Sequence, residues 1–398
     1  MRQGLDQTSN KTKTNTTDCR LPPRPEANYR IRLYDNTGCC REEIIKTIKK
    51  LNKEIQSAGG AGGYGTDSVT GKACSLLRNL THQDAKIAFV ATGTNGNHIV
   101  CRCAKQGKGI QDRVKIIVPP NSHLFKMEKD APAELIGIDF LKVQARNGKI
   151  DISQLNRLTQ EDLKDVSMLH IAQPTEYGTV YTTKEMKQIS EFCKKNDLLF
   201  GVDGARLPYA AFQLKRDLRE ITTDVGVDIF TLGISKIGGD NGCAVILLTE
   251  KTWANGEKLD QNALYKYASQ HAGTRSKTWL LSGQFQTLFE NNHWQEIVRK
   301  PIKHARKFAA ELVENGIKIL YPVQTNGVFV ELERSLQEKL RKDYGIDFCS
   351  WPFNEGKTNI ARFMFPHNAT KEMRQETTRA IIKIVTSEKK RIGAYGIF

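Results

Sequence analysis

The sequence predicts an α/β protein: a large domain built on a mainly parallel sheet, then a smaller C-terminal α+β domain. Three observations carry that reading. Short apolar runs (KIAFV, VKIIV, SMLHIA, LFGV, DIFTL) alternate with amphipathic helical stretches, the order that lays parallel strands side by side with helices packed on them. Several of these runs stop at polar or glycine-rich residues, as buried parallel strands do at the carboxyl edge of a sheet, where ligands bind. From WQEIVRKPIKHARKFAAELVENG onward the pattern changes to a long helix, strands near GVFVEL and ARFMF, and a terminal helix. The expected division is a disordered extension over 1–28, a large domain with its N-terminal segment over 29–290, and a small domain over 291–398.

A chain of 398 residues with 39% hydrophobic content fits two globular domains. No apolar run approaches the roughly 18 residues needed to cross a bilayer. The N-terminus is polar with no hydrophobic segment of a secretory signal, so the expected location is cytoplasmic. The nine cysteines include no C-x-x-C pair, which argues against a disulfide framework and a zinc site, and no metal is expected. The formal charge of +16 would suit nucleic acid, but Lys and Arg are scattered over many helices with no aromatic interleaving. They read as solvated helix faces, and neither nucleic acid nor a membrane is an expected partner.

Taken in order, residues 1–28 are rich in Asn, Thr, Lys and Gln and end in Pro22, Pro23 and Pro25, a composition that does not build a core. REEIIKTIKKLNKEIQ then sets Ile44, Ile48, Leu51 and Ile55 on one helical stripe. The glycines from Gly60 to Gly65 formally spell G-x-G-x-x-G, yet a Lys-rich helix stands where a dinucleotide site needs a strand. Gly71-Lys72 is no P-loop either, because Ala73 holds the Ser/Thr position. A glycine-rich loop beside the active site is the better description.

The strand Ile87 to Val90 runs through Thr92, Gly93, Thr94 and Asn95 into a helix. Backbone amides at such a start, flanked by small residues, suit a phosphate, although a plain strand-to-helix turn would look alike. His123 follows the next strand, and a lone histidine there could be structural or could stack on a ring and relay a proton. SMLHIA leads to Glu176, and Thr182 with Glu185 form a capping box for TKEMKQISEFCKK.

The chemistry centres on residues 199–245. One apolar run ends in Asp203, another in Ser235-Lys236 with Gly238 and Gly239 behind, so acid and amine meet at one sheet edge. A lysine that can condense with an aldehyde and a carboxylate that keeps a pyridine nitrogen protonated suit pyridoxal phosphate. Taken alone, the two could also form a buried ion pair.

The order Asp35-Asn36, GGYGTD, ATGTNGN, His123 with Ala131-Pro132-Ala133-Glu134, TEYGTVYT, VDGARL, GISK and AGTRSK resembles the low-specificity L-threonine aldolases from about residue 33 to the end. These are fold type I pyridoxal-phosphate enzymes of the beta-eliminating lyase group. The resemblance implies cleavage of L-threonine, L-allo-threonine or a related β-hydroxy-α-amino acid to glycine and an aldehyde. Lys236 would hold the cofactor, Asp203 its ring nitrogen, His123 its ring face, and Gly93, Thr94 and Asn95 its phosphate. Arg206 would lie beside cofactor and substrate, and Arg275 near the phosphate. Arg362 would clamp the substrate carboxylate, with Asp35 and Glu176 also facing substrate, and His123, or in its place Glu176, would handle protons. A homodimer or homotetramer is implied as well. Tyr34 stands where a serine is common, and Gly96 where a small alanine-like residue is usual and should matter little. Another pyridoxal-phosphate reaction on the same scaffold is the nearer alternative, and a non-catalytic basic binding protein the more distant one.

Overall fold

The computed structural model describes residues 29–34, 41–57, 62–106, 113–253, 255–271, 273–351 and 359–395. The expected extension over 1–28 and the predicted substrate residue Asp35 lie outside them. No described helix is long and apolar enough to cross a membrane.

The central sheet takes strands β2 (Lys86–Val90), β3 (Val114–Val118), β4 (Ile138–Lys142), β5 (Val166–Ala172), β6 (Leu199–Gly204), β7 (Ile229–Gly233) and β8 (Cys243–Leu247). Their order across the sheet is β2-β8-β7-β6-β5-β3-β4. The β3, β4, β5, β6 and β7 pairings are parallel, and β8 is antiparallel to both its neighbours. β2 therefore runs in the same direction as β7. The strands are apolar along their length because both faces are covered, and the two-residue alternation sends successive side chains to opposite cores. Ile87, Phe89, Ile171, Phe200, Val202 and Phe230 face one core. Ala88, Val90, Ile116, Met168, Leu199 and Val245 face the other.

Helix α2 (Ser68–Leu80) contributes Ala73 and Leu77 to the first core, as α4 (Thr183–Lys195) contributes Met186, Ile189 and Phe192. On the opposite face α3 (Gly93–Lys105) and α6 (Gln261–Gln270) bury Ile99, Val100, Leu264 and Tyr267. Each such fully buried Val, Leu or Ile contributes about 1.5–3 kcal/mol. α3 lies unusually close to the sheet. A Cβ on Gly96 would come within 3.0 Å of Thr231 Cγ2 and 3.1 Å of Cys243 Sγ, so this position matters more than its sequence context suggests.

The C-terminal unit has its own core. Strands β9 (Gly327–Glu331), β11 (Cys349–Ser350) and β12 (Ile360–Met364) form an antiparallel sheet in the order β9-β12-β11. Against it pack α9 (Arg334–Tyr344) and α10 (Lys371–Tyr395). The N-terminal strand β1 (Ile31–Arg32) pairs in parallel with β10 (Ile346–Asp347) and buries Ile31 and Leu33 in this core. Residues 31–33, grouped by sequence order with the large domain, thus pack on the C-terminal unit. Two or three residues carry no periodicity that could have shown their partner.

Helix α8 (His293–Glu314) ties the two units together. Its first half puts Trp294, Val298 and Ile302 into the large core, and its second half puts Ala305, Phe308 and Leu312 into the small one. On α1 (Arg41–Ser57) the Ile44 side chain lies outside the described residues; of the rest of the stripe, Leu51 and Ile55 pack on Val69 and on Trp279 of α7 (Trp279–Phe289), whereas Ile48 is exposed.

The predicted capping box is present. Glu185 N–H donates to Thr182 Oγ1 at 3.2 Å, and Thr182 N–H donates to Glu185 Oε2 at 2.7 Å. Thr182→Ala removes one half of this exchange and should cost about 0.5–2 kcal/mol. The cofactor-free variant should unfold at a lower urea midpoint, and an unchanged midpoint would show that the box adds nothing.

Candidate functional site

Because β2, β3, β5, β6 and β7 share a direction, the residues after them gather at one edge of the sheet. Thr92 follows β2, His123 follows β3, Glu176 follows β5, Asp203 stands next to last in β6, and Lys236 lies just beyond β7. Asp203 is paired across the sheet with Ala172 and Thr231. It falls on the face opposite Val202, under α3.

Asp203 is buried at 6% exposure. Its Oδ1 accepts from Ala205 N–H at 2.9 Å, and its Oδ2 accepts from Asn97 Nδ2 at 3.1 Å. Burial favours the neutral acid, but the positive charges of His123 and Lys236 and the Asn97 hydrogen bond outweigh it. The carboxyl sits below its ordinary range and stays ionised. This is a buried anion aimed at whatever occupies the sheet edge.

Lys236 lies half-buried in a one-turn helix, Ser235–Ile237. Tyr209 Oη donates to its carbonyl at 3.1 Å, and Gly239 N–H folds back to Ile234 O at 3.0 Å. Gly238 follows at φ +96°, where a Cβ would also come within 3.2 Å of His367. A residue with a side chain there would shift the lysine turn.

At the start of α3, Thr92 Oγ1 accepts from Asn95 N–H at 3.1 Å, and Asn95 Nδ2 reaches His271 O at 3.3 Å. A Cβ on Gly93 would meet nothing within 4 Å. The amides of Gly93 and Thr94 stand in the first turn, where an α-helix offers no internal acceptor, at the positive end of its dipole. Ala91 N–H donates to Gly273 O at 3.1 Å, so the segment leading to Arg275 borders this helix start. Arg275 itself is exposed.

His123 opens a short helix after β3. Burial pushes it toward neutrality, but the hydrogen bond to Glu128 and the negative charges of Glu176, Glu128 and Asp203 prevail. Its pKa lies above the ordinary histidine value. On the C-terminal unit, Arg362 in β12 reaches back to the same edge. Its Nη1 is 3.8 Å from Glu176 Oε2, both side chains are about one-tenth exposed, and its guanidinium covers the Trp351 ring at 4.5 Å. At that separation Glu176 is an ion partner and not a hydrogen-bond acceptor, and Arg362 Nε is buried without a hydrogen bond. Arg206 is buried at the start of helix α5 (Leu207–Leu214), three residues after Asp203.

The site thus has chemically distinct ends: a buried carboxylate, an amine, a helix start offering amides, and a guanidinium with an unused buried donor. That donor set fits pyridoxal phosphate with an amino-acid carboxylate beside it. The sequence prediction missed Glu128, Asn97, His98 and His170, which surround Asp203 and His123. Asn97 alone left a signal: one helical turn past Gly93, it faces the sheet.

A protein-family model described as Beta-eliminating lyase matches residues 51–358. A low specificity L-threonine aldolase of Pseudomonas sp. (strain NCIMB 10558) is 28% identical over 358 residues, covering 88% of this chain and 96% of the relative. Another of that name from Pseudomonas aeruginosa is 28% identical over 290 residues, 71% of this chain and 80% of that one. The solved structure of a Leishmania major threonine aldolase superimposes with a TM-score of 0.75 at 25% identity, covering 89% of this chain and 99% of that one.

The depressed Asp203 carboxyl sets a pH dependence. A group whose pKa is lower in the folded than in the unfolded protein contributes stability above its unfolded pKa of about 4 and loses it as pH falls through the folded value. In cofactor-free protein, the stability gap between the native chain and Asp203→Asn should narrow steadily below about pH 4. Urea midpoints measured across that range check this, and a gap that widens on acidification would contradict an ionised Asp203.

Proposed function

The chain belongs to the beta-eliminating lyase family, and on that premise we propose that it is a pyridoxal-phosphate-dependent aldolase. It cleaves L-threonine, L-allo-threonine or a related β-hydroxy-α-amino acid to glycine and the corresponding aldehyde. The observation that carries this reading is the buried, ionised Asp203 sharing one sheet edge with Lys236.

Lys236 is the residue that holds the cofactor's aldehyde carbon, Asp203 holds the ring nitrogen, and Gly93, Thr94 and Asn95 hold the phosphate with Arg275 nearby. When bound, pyridoxal phosphate supplies the electron sink for the pair released as the Cα–Cβ bond breaks. Asp203 does its part by remaining an anion in a buried place, where it keeps the ring nitrogen protonated. Arg362 binds the substrate carboxylate through a planar fork that can grip both oxygens, with Arg206 beside it. Holding that carboxylate fixes which bond at Cα is presented for cleavage. Glu176, 3.8 Å from Arg362, keeps the guanidinium in place. His123 takes the β-hydroxyl proton as the aldehyde forms. Replacement of that proton at Cα then yields glycine, so no net proton is consumed.

The assembly that accompanies this reading is a cytoplasmic homodimer or homotetramer, which sedimentation equilibrium would measure.

Purified protein supplied with pyridoxal phosphate should release acetaldehyde and glycine from L-threonine in equal amounts, and Lys236→Ala should release neither. Pyruvate and ammonia in their place would move the reaction to β-elimination. Arg362→Ala should lower kcat/KM by about 10- to 150-fold, the equivalent of about 1.5–3 kcal/mol for a hydrogen bond between charged groups. A loss below threefold would remove Arg362 from substrate binding.

A further inference from the structure

Glu128 follows His123 by five residues, and its side chain is 0% exposed. His123 Nδ1 lies 2.9 Å from its Oε1, and Asn97 Nδ2 donates to the same oxygen at 2.9 Å. His98 Nε2 lies 3.0 Å from its Oε2. Asn97 Nδ2 also donates to Asp203 Oδ2 at 3.1 Å, so the two hydrogens of one amide bridge two buried carboxylates.

From this arrangement we propose that Glu128 is the positioning residue for His123. It keeps a proton on Nδ1, reserves Nε2 for exchange with the substrate, and through Asn97 locks the His123 ring in register with Asp203. The assignment of the exchanged proton rests on the aldolase reading; the tautomer does not.

An ionised carboxylate has no hydrogen to give, so the imidazole nitrogen facing it must be the donor. Glu128 is ionised. Its burial alone would raise its pKa, but the hydrogen bonds from His123 and Asn97, the charge of His123 and the close approach of the His98 ring bring it down to about 2. The charged and titratable groups around His123 are Glu128, Glu176 across the site, Asp203 beneath, and His170 on β5. Burial holds His170 at about 4, so near neutrality it adds no charge against His123. Glu176 and Asp203 attract a proton to the ring without choosing a nitrogen. Among the described residues, only Glu128 is at hydrogen-bond distance from one nitrogen in particular.

Two measurements test this, the first needing no variant. Long-range ¹H–¹⁵N spectra of cofactor-free native protein, recorded above the His123 pKa, should show the proton on Nδ1. A neutral ring carrying it on Nε2 overturns the proposal. In Glu128→Gln, which keeps the side-chain shape, the His123 titration should move down by about one unit or more. With the cofactor restored, kcat should fall about 10- to 100-fold while KM stays within about threefold, and Glu128→Asp should recover part of the loss. An unmoved His123 titration, or a loss confined to KM, overturns the proposal. Failure of the aldolase reading would appear separately, as native protein that releases no aldehyde.

Discussion

A carboxylate kept ionised in the protein interior is the constraint on which the rest of this structure depends. Asp203 has lost nearly all its water, and such a group becomes neutral unless positive charge and hydrogen-bond donors surround it. Each nearby element supplies part of that surrounding: β6 the acid, β7 the turn with Lys236, α3 the amide of Asn97, and the segment after β3 His123. The parallel sheet makes this possible, since it brings strand ends distant in sequence to one edge while apolar residues on both faces hold them rigid. Close seating of α3 at Gly96 is part of the same requirement, because Asn97 must reach Asp203 from above the sheet.

The second constraint is mechanical. Arg362 belongs to the C-terminal sheet, yet it contacts Glu176 of the large unit. α8 contributes to both cores, so the two units share one helix of 22 residues, which continues through Pro301 and is about 33 Å long at 1.5 Å per residue. Trp351 beneath the guanidinium narrows its freedom further. An arginine held in this manner can orient a small carboxylate, which an arginine on a flexible surface could not do.

Much of this was legible in the sequence, for physical reasons. Buried strands are apolar along their whole length, so the polar residue at each end stands out, and Asp203, Lys236, His123 and Glu176 could be found in that manner. Helix starts announce themselves through side chains that must cap free amides, and both Thr92 and Thr182 do so. Glu128 was hidden because an acid in a polar stretch looks solvated until the fold buries it against His98 and His123. The Arg362–Glu176 pair was hidden because its partners lie 186 residues apart and on different units. Ile48 misled in the other direction, since a helical stripe shows which residues could be buried and not how much neighbouring surface is available to bury them.

If Lys236 and Asp203 form one cofactor site, both must act on the same bound molecule. The most direct test is to reduce the purified holoprotein with borohydride, which fixes pyridoxal phosphate on whichever lysine holds it, and to map the modified peptide. Modification on Lys236 in the native protein, with binding strongly weakened in Asp203→Ala, is expected. Modification spread over surface lysines, or a native protein that binds the cofactor equally well without Asp203, would contradict a shared site.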